Sequence, residues 1–154
     1  MTNRRSLLLL PAALVVARCA PPPKPPAVLT LVISGGADQN PDPAGKPAPV
    51  AVRLYQLTAT AKFERSDWTS LTEHEKETLG QDDAGSEEMV IGPGQNLTKT
   101  IELKNGVQAV GVVVLYRDID HAQWRAVAPA ATSGPTKLAL NIGKLAATLK
   151  PMQG

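Results

Sequence analysis

Histidine and glutamate side chains at residues 73–77 form the first pattern in this chain that could do chemistry. His74 stands among Glu73, Glu75 and Glu77, an arrangement that invites a metal site. Ligands on a helix must lie three or four residues apart to share a face, and only His74 and Glu77 meet that spacing. Since two ligands do not make a metal site, the pattern favours a solvated acidic helix face.

A second pattern surrounds His121, which lies between Asp118 and Asp120. Histidine beside a carboxylate suits triad chemistry, but a triad also needs a serine on a strained turn, and no G-x-S-x-G stretch exists. The pair Asp82-Asp83 lacks the ligand spacing of a calcium loop. We expect surface turns at both places and a non-enzymatic protein without metal or cofactor. An enzyme that uses His121 is the alternative, and it predicts a concave pocket there.

Cys19 is the only cysteine of the chain, so an intramolecular disulfide is impossible. It follows two arginines, Arg4 and Arg5, and an apolar stretch over residues 7–17. That stretch is too short to span a bilayer and is typical of an export signal. We predict a signal peptide over residues 1–18, with Sec export favoured over twin-arginine export.

Residues 16–19, VARC, resemble a lipobox, in which the cysteine is acylated and becomes the first residue of the mature chain. A lipobox has a small residue where Arg18 stands, and bulk and charge there should slow processing. The alternative is cleavage after Cys19, which would release a soluble periplasmic protein. We predict lipidation of Cys19, with residues 19–26 forming the lipid anchor and a proline-rich, semi-rigid spacer. No aspartate follows Cys19, which indicates sorting to the outer membrane.

The charge balance argues against one class of partner. Without the three arginines of the leader, 13 basic residues face 14 acidic ones, a net charge near −1. A nucleic-acid-binding protein carries a basic footprint, and this chain has none at the level of composition.

Residues 27–154 alternate short apolar segments with turn residues, which predicts one mainly β domain. Six to eight short strands with turn-rich joints favour a two-sheet β-sandwich over a parallel α/β fold. The predicted strands cover residues 27–34, 50–57, 87–91, 97–103 and 107–116, with one or two closing strands at 136–142 and 145–149.

Two stretches in the middle of the domain carry specific expectations. Residues 107–116 form an almost continuous apolar run, which indicates a central strand covered on both faces. Asn105-Gly106, just before it, is the strongest short hairpin signal in the chain. We therefore expect a hairpin between the strands at 97–103 and 107–116.

Residues 59–80, between the second and third predicted strands, are rich in helix formers and predict a short helical insertion. We expect two helices, over residues 59–65 and 68–79. Thr72 and Glu75 fit a capping box, in which each side chain bonds the backbone of the other residue. Gly80 fits a left-handed cap at the end of the second helix.

The connection between the first two strands, residues 35–49, is unusually long and stiff. It contains four prolines and three glycines, whereas hairpin loops normally have two to five residues. Long ordered loops in compact domains usually carry function. We therefore place the candidate functional site in this segment, the 35–49 loop.

Several segments together resemble the TssJ family of type VI secretion outer-membrane lipoproteins, also called VasD or Lip. They are the lipobox-like cysteine, ADQNPDPAGKPAPVAVRLYQL at 37–57, the helical insert, PGQ at 93–95 and LYRDIDHAQWRA at 115–126. The resemblance implies a transthyretin-like β-sandwich anchored in the outer membrane and facing the periplasm. It also implies binding to the periplasmic C-terminal region of the inner-membrane protein TssM, and through it to TssL, with no nucleic acid or small-molecule substrate.

In that family the loop between the first two strands contacts TssM. Carried onto this chain, the candidate partner-binding residues are Asp38, Gln39, Asn40, Pro41, Asp42, Pro43, Ala44, Gly45, Lys46 and Pro47. Prolines restrict the loop before it binds, which lowers the ordering entropy of association. The alternative is a loop that only crosses the end of the sandwich. If the loop binds, deletion of residues 38–46 should leave a folded domain and abolish binding.

A second candidate stretch is Tyr116-Arg117-Asp118, followed by Trp124. One interpretation is a second contact surface. The other, which the pattern favours, is a structural corner where Arg117 pairs with an acid and Trp124 caps the core. A soluble periplasmic ligand-binding or carrier sandwich is the alternative function for the whole protein.

Overall fold

The computed structural model of the protein describes residues 17–153, and all but the last two residues of the predicted signal peptide lie outside this range. The described strands are β1 (Ala27–Gly35), β2 (Val50–Leu57), β3 (Asp83–Ile91), β4 (Asn96–Glu102), β5 (Ala109–Leu115), β6 (Arg125–Pro129), β7 (Gly134–Ile142) and β8 (Ala147–Pro151). Three short helices lie between β2 and β3, namely α1 (Ala61–Arg65), α2 (Trp68–Glu73) and α3 (Glu75–Leu79). Within residues 17–153, no helix combines the length and apolarity that a bilayer crossing needs.

The eight strands form two four-stranded sheets, in the orders β4-β1-β7-β8 and β3-β2-β5-β6. The predicted two-sheet β-sandwich with a helical insertion is therefore confirmed. All neighbouring strands are antiparallel except β1 and β7, which run parallel. The parallel pair makes the ends of β1 and β7 lie at the same edge of the molecule.

The core between the sheets is built from alternating apolar side chains. In β1, Leu29, Leu31 and Ile33 are fully buried while the residues between them are half-buried. Opposite them, β2 and β5 contribute Val52, Leu54, Val110, Val112 and Val114. The period of two that was visible in the sequence decides which residues face inward.

The opposite face of β5 is covered as well, as its apolar run predicts. Val113 and Ala109 belong to a second buried cluster with Phe63 of the helical insertion. A Cβ added at Gly111 would lie 2.8 Å from the Phe63 ring, so glycine lets the helix pack directly on the strand. Tyr55 donates a hydrogen bond to the Leu71 carbonyl at 2.9 Å, and burial raises the pKa of its hydroxyl.

The second predicted helix is interrupted, and its predicted capping box is wrong. The chain leaves helical geometry at His74 (φ −126°, ψ 38°), which separates α2 from α3. The Thr72 hydroxyl donates instead to the carbonyl of Trp68 at 2.8 Å. Gly80 ends α3 with a positive φ of 56°, as expected, although its ψ of −127° lies outside the left-handed helical region.

A side chain from the sheet explains why Glu75 does not cap the helix. The Arg53 guanidinium donates to the Glu75 carboxylate at 3.1 Å and to the Thr72 carbonyl at 2.8 Å. Glu75 also accepts a hydrogen bond from Ser86. The N-cap of α2 is Asp67, whose carboxylate accepts from the Ser70 amide at 2.7 Å, and this bond lowers the pKa of Asp67.

The predicted Asn105-Gly106 hairpin is also wrong. The two residues do form a turn, with Gly106 at φ +84°, but β4 and β5 on either side belong to different sheets. Leu103 and Val107, which flank the turn, are both buried between the sheets. Burial of these two side chains makes the chain cross from one sheet to the other instead of folding back on itself.

Two further boundaries differ from the sequence prediction. β3 begins at Asp83, four residues before the predicted start at Glu87, and β6 is absent from the predicted strands. A bridge between Gln123 and Ala146 joins the two sheets beside β6 and β8. These strands have few strongly apolar residues, which is why periodicity did not reveal them.

Candidate partner-binding site

The 35–49 loop lies at one end of the sandwich together with other connections. We call this end the loop pole; it contains the loop, the corner at residues 116–124 and the β7–β8 turn at residues 143–146. The Gly36 amide donates to the Ile142 carbonyl at 2.8 Å, and the Gly35 amide donates to the Gln95 carbonyl at 2.8 Å. The start of the loop is therefore fixed to the end of β7 and to the turn between β3 and β4.

Gln39 anchors the first half of the loop from inside the protein. Its side chain is fully buried, and its amide nitrogen donates to the carbonyls of Ile91 at 2.7 Å and Ala48 at 3.2 Å. The side-chain oxygen of Gln39 accepts no hydrogen bond from any residue in 17–153. Gln39 thus fixes the loop to the end of β3 and to its own returning half.

Asn40 connects three separate segments of the chain. Its side-chain nitrogen donates to the Pro49 carbonyl at 2.8 Å, and its side-chain oxygen accepts from the Arg117 amide at 2.7 Å. Its own amide donates to the Lys144 carbonyl at 3.0 Å. Asn40 adopts a positive φ of 44°, a conformation that asparagine tolerates better than most residues. We call Gln39 and Asn40 the base of the loop.

Residues 42–46, the tip of the loop, are ordered by bonds among themselves. The Asp42 carboxylate accepts from the amides of Ala44 and Lys46, both at 2.9 Å. The backbones of Asp42 and Lys46 also bond at 2.8 Å, and Gly45 turns the chain at φ +82°. Aspartate commonly shapes a local turn in this way, by accepting hydrogen bonds from nearby backbone amides. The tip is therefore a closed five-residue turn.

The ten predicted partner-binding residues fall into three groups by exposure. Gln39 and Asn40 are 0% and 5% exposed, so their side chains support the loop and present no surface to a partner. Pro41, Asp42 and Pro47 are half-buried, and the exposed members are Asp38, Pro43, Ala44, Gly45 and Lys46. The loop is neither wholly a projection nor wholly part of the core.

A cleft of about 500 Å³ lies between the tip and its neighbours at the loop pole. It is lined by Pro41, Asp42, Pro43, Gly45, Arg117, Asp118, Lys144 and Leu145. The structure thus brings the corner at residues 116–118 next to the tip, so that the two stretches singled out in the sequence share one surface.

The charges on this surface have both signs. Lys46, Arg117 and Lys144 are exposed cations, and Asp118 contributes a carboxylate to the cleft. His121 Nδ1 lies 2.7 Å from the Asp118 carboxylate, and this hydrogen bond raises the pKa of His121. The surface can therefore pair with carboxylates of a partner, with a sensitivity to salt and pH.

The corner combines features of both interpretations made from the sequence. The Arg117 side chain is exposed and forms no ion pair with residues of the described range, so the predicted pairing with an acid is not found. Trp124 packs against both buried clusters, as predicted for a core cap, and the Arg125 guanidinium lies 4.7 Å from its ring centroid.

The two histidine patterns lie on the surface. The His74 and Glu77 side chains are 60% and 86% exposed and 4.0 Å apart, and no three metal-ligating residues cluster within residues 17–153. The His121 side chain is 78% exposed.

Two residues that line the cleft, Lys144 and Leu145, were not predicted from the sequence. The only signal there was the turn residue Gly143 between two predicted strands.

The comparison with family models places most of the chain in one family. Residues 27–145 match the family described as type VI secretion lipoproteins, which includes TssJ, VasD and EvfM. Among curated proteins, none matches the sequence.

Solved structures of the same fold agree with this family match. The T6SS lipoprotein TssJ1 from Pseudomonas aeruginosa is 29% identical with a TM-score of 0.81, covering 84% of this chain and 99% of its own. A chain of a structure described as a type VI membrane complex is 25% identical with a TM-score of 0.71, covering 82% and 98%. A chain of a structure described as the T6SS protein TssM C-terminal domain (869–1107) from EAEC is 24% identical with a TM-score of 0.68, covering 82% and 99%.

Proposed function

This chain belongs to the type VI secretion lipoprotein family, and from that premise we propose that it binds the periplasmic C-terminal region of TssM through the tip of its 35–49 loop. The protein is a component of the type VI secretion machinery whose role is assembly. In the proposal it acts without catalysis, and TssM links it to TssL. Acyl chains on Cys19 hold the domain at the outer membrane, facing the periplasm.

The observation that carries this proposal is the contrast between an immobilised base and an exposed, self-ordered tip. A segment that is already ordered loses little conformational entropy on binding, so more of the contact energy appears as affinity. Pro43, Ala44, Gly45 and Lys46 are exposed without being held by the rest of the protein. The adjoining cleft offers a partner a concave surface beside the tip.

The similar structures support the choice of partner. Chains of this fold occur in a structure described as a type VI membrane complex and in one described as a TssM C-terminal domain. A partner that meets the loop pole would find exposed cations at Lys46, Arg117 and Lys144. We therefore expect the contacting segment of TssM to carry carboxylates.

The test is a bulky substitution at the tip. Ala44 is exposed and contributes only its amide to the local turn, so Ala44→Arg should leave the fold unchanged within about 0.5 kcal/mol. Calorimetry with the TssM periplasmic region should show a loss of affinity of at least about 100-fold, as for a hot-spot position. Ala59→Arg places the same side chain at an exposed site on the helical insertion and serves as the matched control.

Equal affinities for the Ala44→Arg variant and the unmodified protein would exclude the tip as the binding surface. The deletion of residues 38–46 is a poorer test, because it removes Gln39 and Asn40 and with them the bonds that fix the loop pole. The point substitution at Ala44 is the sharper test, because it leaves these bonds in place.

The proposed anchor has a separate test. Cys19 is exposed and precedes β1 by eight residues. Mass spectrometry of the mature protein should find an acylated N-terminal cysteine. An N-terminus at Ala20 without lipid would instead support the soluble periplasmic protein.

A further inference from the structure

The two sheets of the sandwich differ in what covers them. The helical insertion packs on β2 and β5, where Tyr55 and Val113 are buried beneath it. On the other sheet, the residues of β1 that alternate with the core, Val28, Thr30 and Val32, are only half-buried. The strand register places Thr100 and Lys137 beside Thr30, on the same side. We call this side of β4-β1-β7-β8 the outer face.

The outer face carries two lysines and an exposed methionine on its β7 and β8 strands. Lys150 pairs with Ala139 of β7, two residues from Lys137, so both lysines lie on this face. The Met152 amide donates to the Lys137 carbonyl at 2.9 Å, which places Met152 opposite Lys137. Met152 is 41% exposed, and within residues 17–153 neither lysine forms an ion pair.

The predicted anchor segment enters the fold at the end of the outer face where β1 and β7 begin. Residues 19–26 lead directly into Ala27 at the start of β1, and the Pro26 carbonyl accepts from the Gly134 amide at 3.1 Å. Lys24 within the segment is exposed. Eight residues of extended proline-rich chain span at most about 25 Å. We call the end that contains Ala27, Gly134 and Pro151 the tether pole.

The loop pole lies at the opposite end of β1. Nine residues of strand separate the two poles by about 26 Å. The row of the outer face nearest the loop pole is Asn96, Ser34, Asn141 and Thr148, none of which is charged. Lys137, level with Thr30, lies on the tether-pole side of the strand centre, and Lys150, level with Val32, lies one row nearer the loop pole. The two cations therefore lie in the middle of the outer face.

The net charge is strongly divided between residues 59–90 and the rest of the chain. Residues 59–90, which include the helical insertion, contain nine acidic and three basic residues, a net charge of −6. The rest of the chain from Ala20 onward has ten basic and five acidic residues, a net charge of +5. Glu102 is the one acid on the described outer face near the tether pole. An anionic surface would repel the insertion and attract the outer face.

We propose that the outer face, with Lys137, Lys150 and Met152, lies against the anionic phospholipid headgroups of the membrane that holds the acyl chains. The proposal rests on the acylation of Cys19 in the proposed function. The acyl chains supply the attachment, and the face fixes the orientation. The helical insertion then faces away from the lipid, and the loop pole stays accessible to a protein partner.

Each lysine near an anionic membrane surface shifts the equilibrium between the membrane-bound and the free state by about fivefold. Two lysines are too few to recruit a soluble domain, but they suffice to bias the orientation of a domain that is already tethered. The bias should weaken with salt, because exposed charges are screened within about 10 Å at 0.1 M ionic strength.

The experiment uses the intact lipoprotein reconstituted in vesicles of phosphatidylethanolamine and phosphatidylglycerol that contain headgroup-spin-labelled lipid. Met152→Cys provides a fluorophore site on the outer face, and Ala44→Cys provides the matched site at the loop tip, since the Cys19 thiol is blocked by lipid. Fluorescence at position 152 should be quenched at least about threefold more than at position 44. Vesicles of phosphatidylcholine alone should remove the difference.

Charge reversal supplies the decisive variant. Lys137→Glu combined with Lys150→Glu should abolish the excess quenching at position 152, whereas Arg65→Glu combined with Lys76→Glu, an equal change on the exposed insertion, should preserve it. Equal quenching at both labelled positions, or excess quenching that survives the reversal at 137 and 150, overturns the proposal. Cross-linking between the position-152 sites of two molecules would identify a second copy as the occupant and also overturns it.

The outcome separates this proposal from the proposed function. TssM binding is measured in solution and does not depend on lipid composition. A protein that fails to stay with the vesicles at all overturns the acylation on which both the anchor and this orientation rest, and it leaves the binding experiment at Ala44 untouched.

Discussion

The base and the tip of the 35–49 loop belong to one segment, yet they are ordered by different parts of the molecule. Gln39 and Asn40 bond to the end of β3, to Arg117 shortly after β5 and to the β7–β8 turn. Within residues 17–153, residues 42–46 hydrogen-bond only to one another. The difference shows how one loop can be fixed in place and still present an exposed surface.

The same comparison explains why some of the predicted partner-binding residues are buried and others are exposed. A polar side chain that leaves water must find hydrogen-bond partners, and the Asn40 side chain finds them at the Pro49 carbonyl and the Arg117 amide. The tip has no such constraint, because its backbone bonds are made locally and its side chains stay in water. Changes at the base should therefore alter stability, and changes at the tip should alter binding.

The largest stability effect is expected for Asn40→Ala. It removes both side-chain bonds and leaves the Pro49 carbonyl and Arg117 amide without partners, at a cost of about 2–4 kcal/mol of unfolding free energy. Denaturant unfolding measures the loss. Asn40→Gly tolerates the positive φ, so its smaller cost isolates the hydrogen bonds from the backbone strain. A loss below about 0.5 kcal/mol would contradict the role given to the base.

A variant far from the loop can separate stability from binding. Gly111→Ala places a Cβ 2.8 Å from the Phe63 ring and 3.0 Å from Leu57, and we expect it to cost about 1–3 kcal/mol. Under conditions where the domain stays folded, its affinity for TssM should equal that of the unmodified protein. Loss of affinity in Gly111→Ala would mean that TssM binding depends on the stability of the whole domain and not on the surface of the loop pole.

A smaller effect is expected for the exposed cation of the tip. Lys46→Ala should leave the unfolding free energy unchanged and weaken TssM binding by up to about fivefold, as for a rim charge. The salt dependence of affinity should fall at the same time, because one screened charge pair is lost. An unchanged salt dependence in calorimetry would exclude Lys46 from the charge contacts.

The smallest effect concerns His121 at the edge of the cleft. Its hydrogen bond to Asp118 raises the pKa of His121, so this contribution to stability is full below the unfolded-state pKa and is lost as the pH rises through the folded-state pKa. An NMR titration should show the pKa of His121 falling in Asp118→Asn. An unchanged titration in that variant would show that the Asp118 contact does not persist in solution.

Much of this molecule follows from local sequence pattern. The bounds of β2 agree with the prediction because apolar and polar residues alternate through Val50–Leu57. The central position of β5 was visible in its apolar run, and its two covered faces explain that run. The loop was identified by its prolines and its length, and these same features carried the resemblance to the family.

The sequence by itself determined most of the strands, the insertion and the position of the long loop, because alternation and turn chemistry act over a few residues. Tertiary structure alone decided that β1 pairs in parallel with β7, that residues 105–106 cross between sheets, and that Gln39 and Asn40 turn inward. These outcomes depend on contacts between residues far apart in the sequence, such as Asn40 with Arg117, which are 77 positions apart. No local pattern encodes such contacts, since each depends on where the rest of the chain has packed.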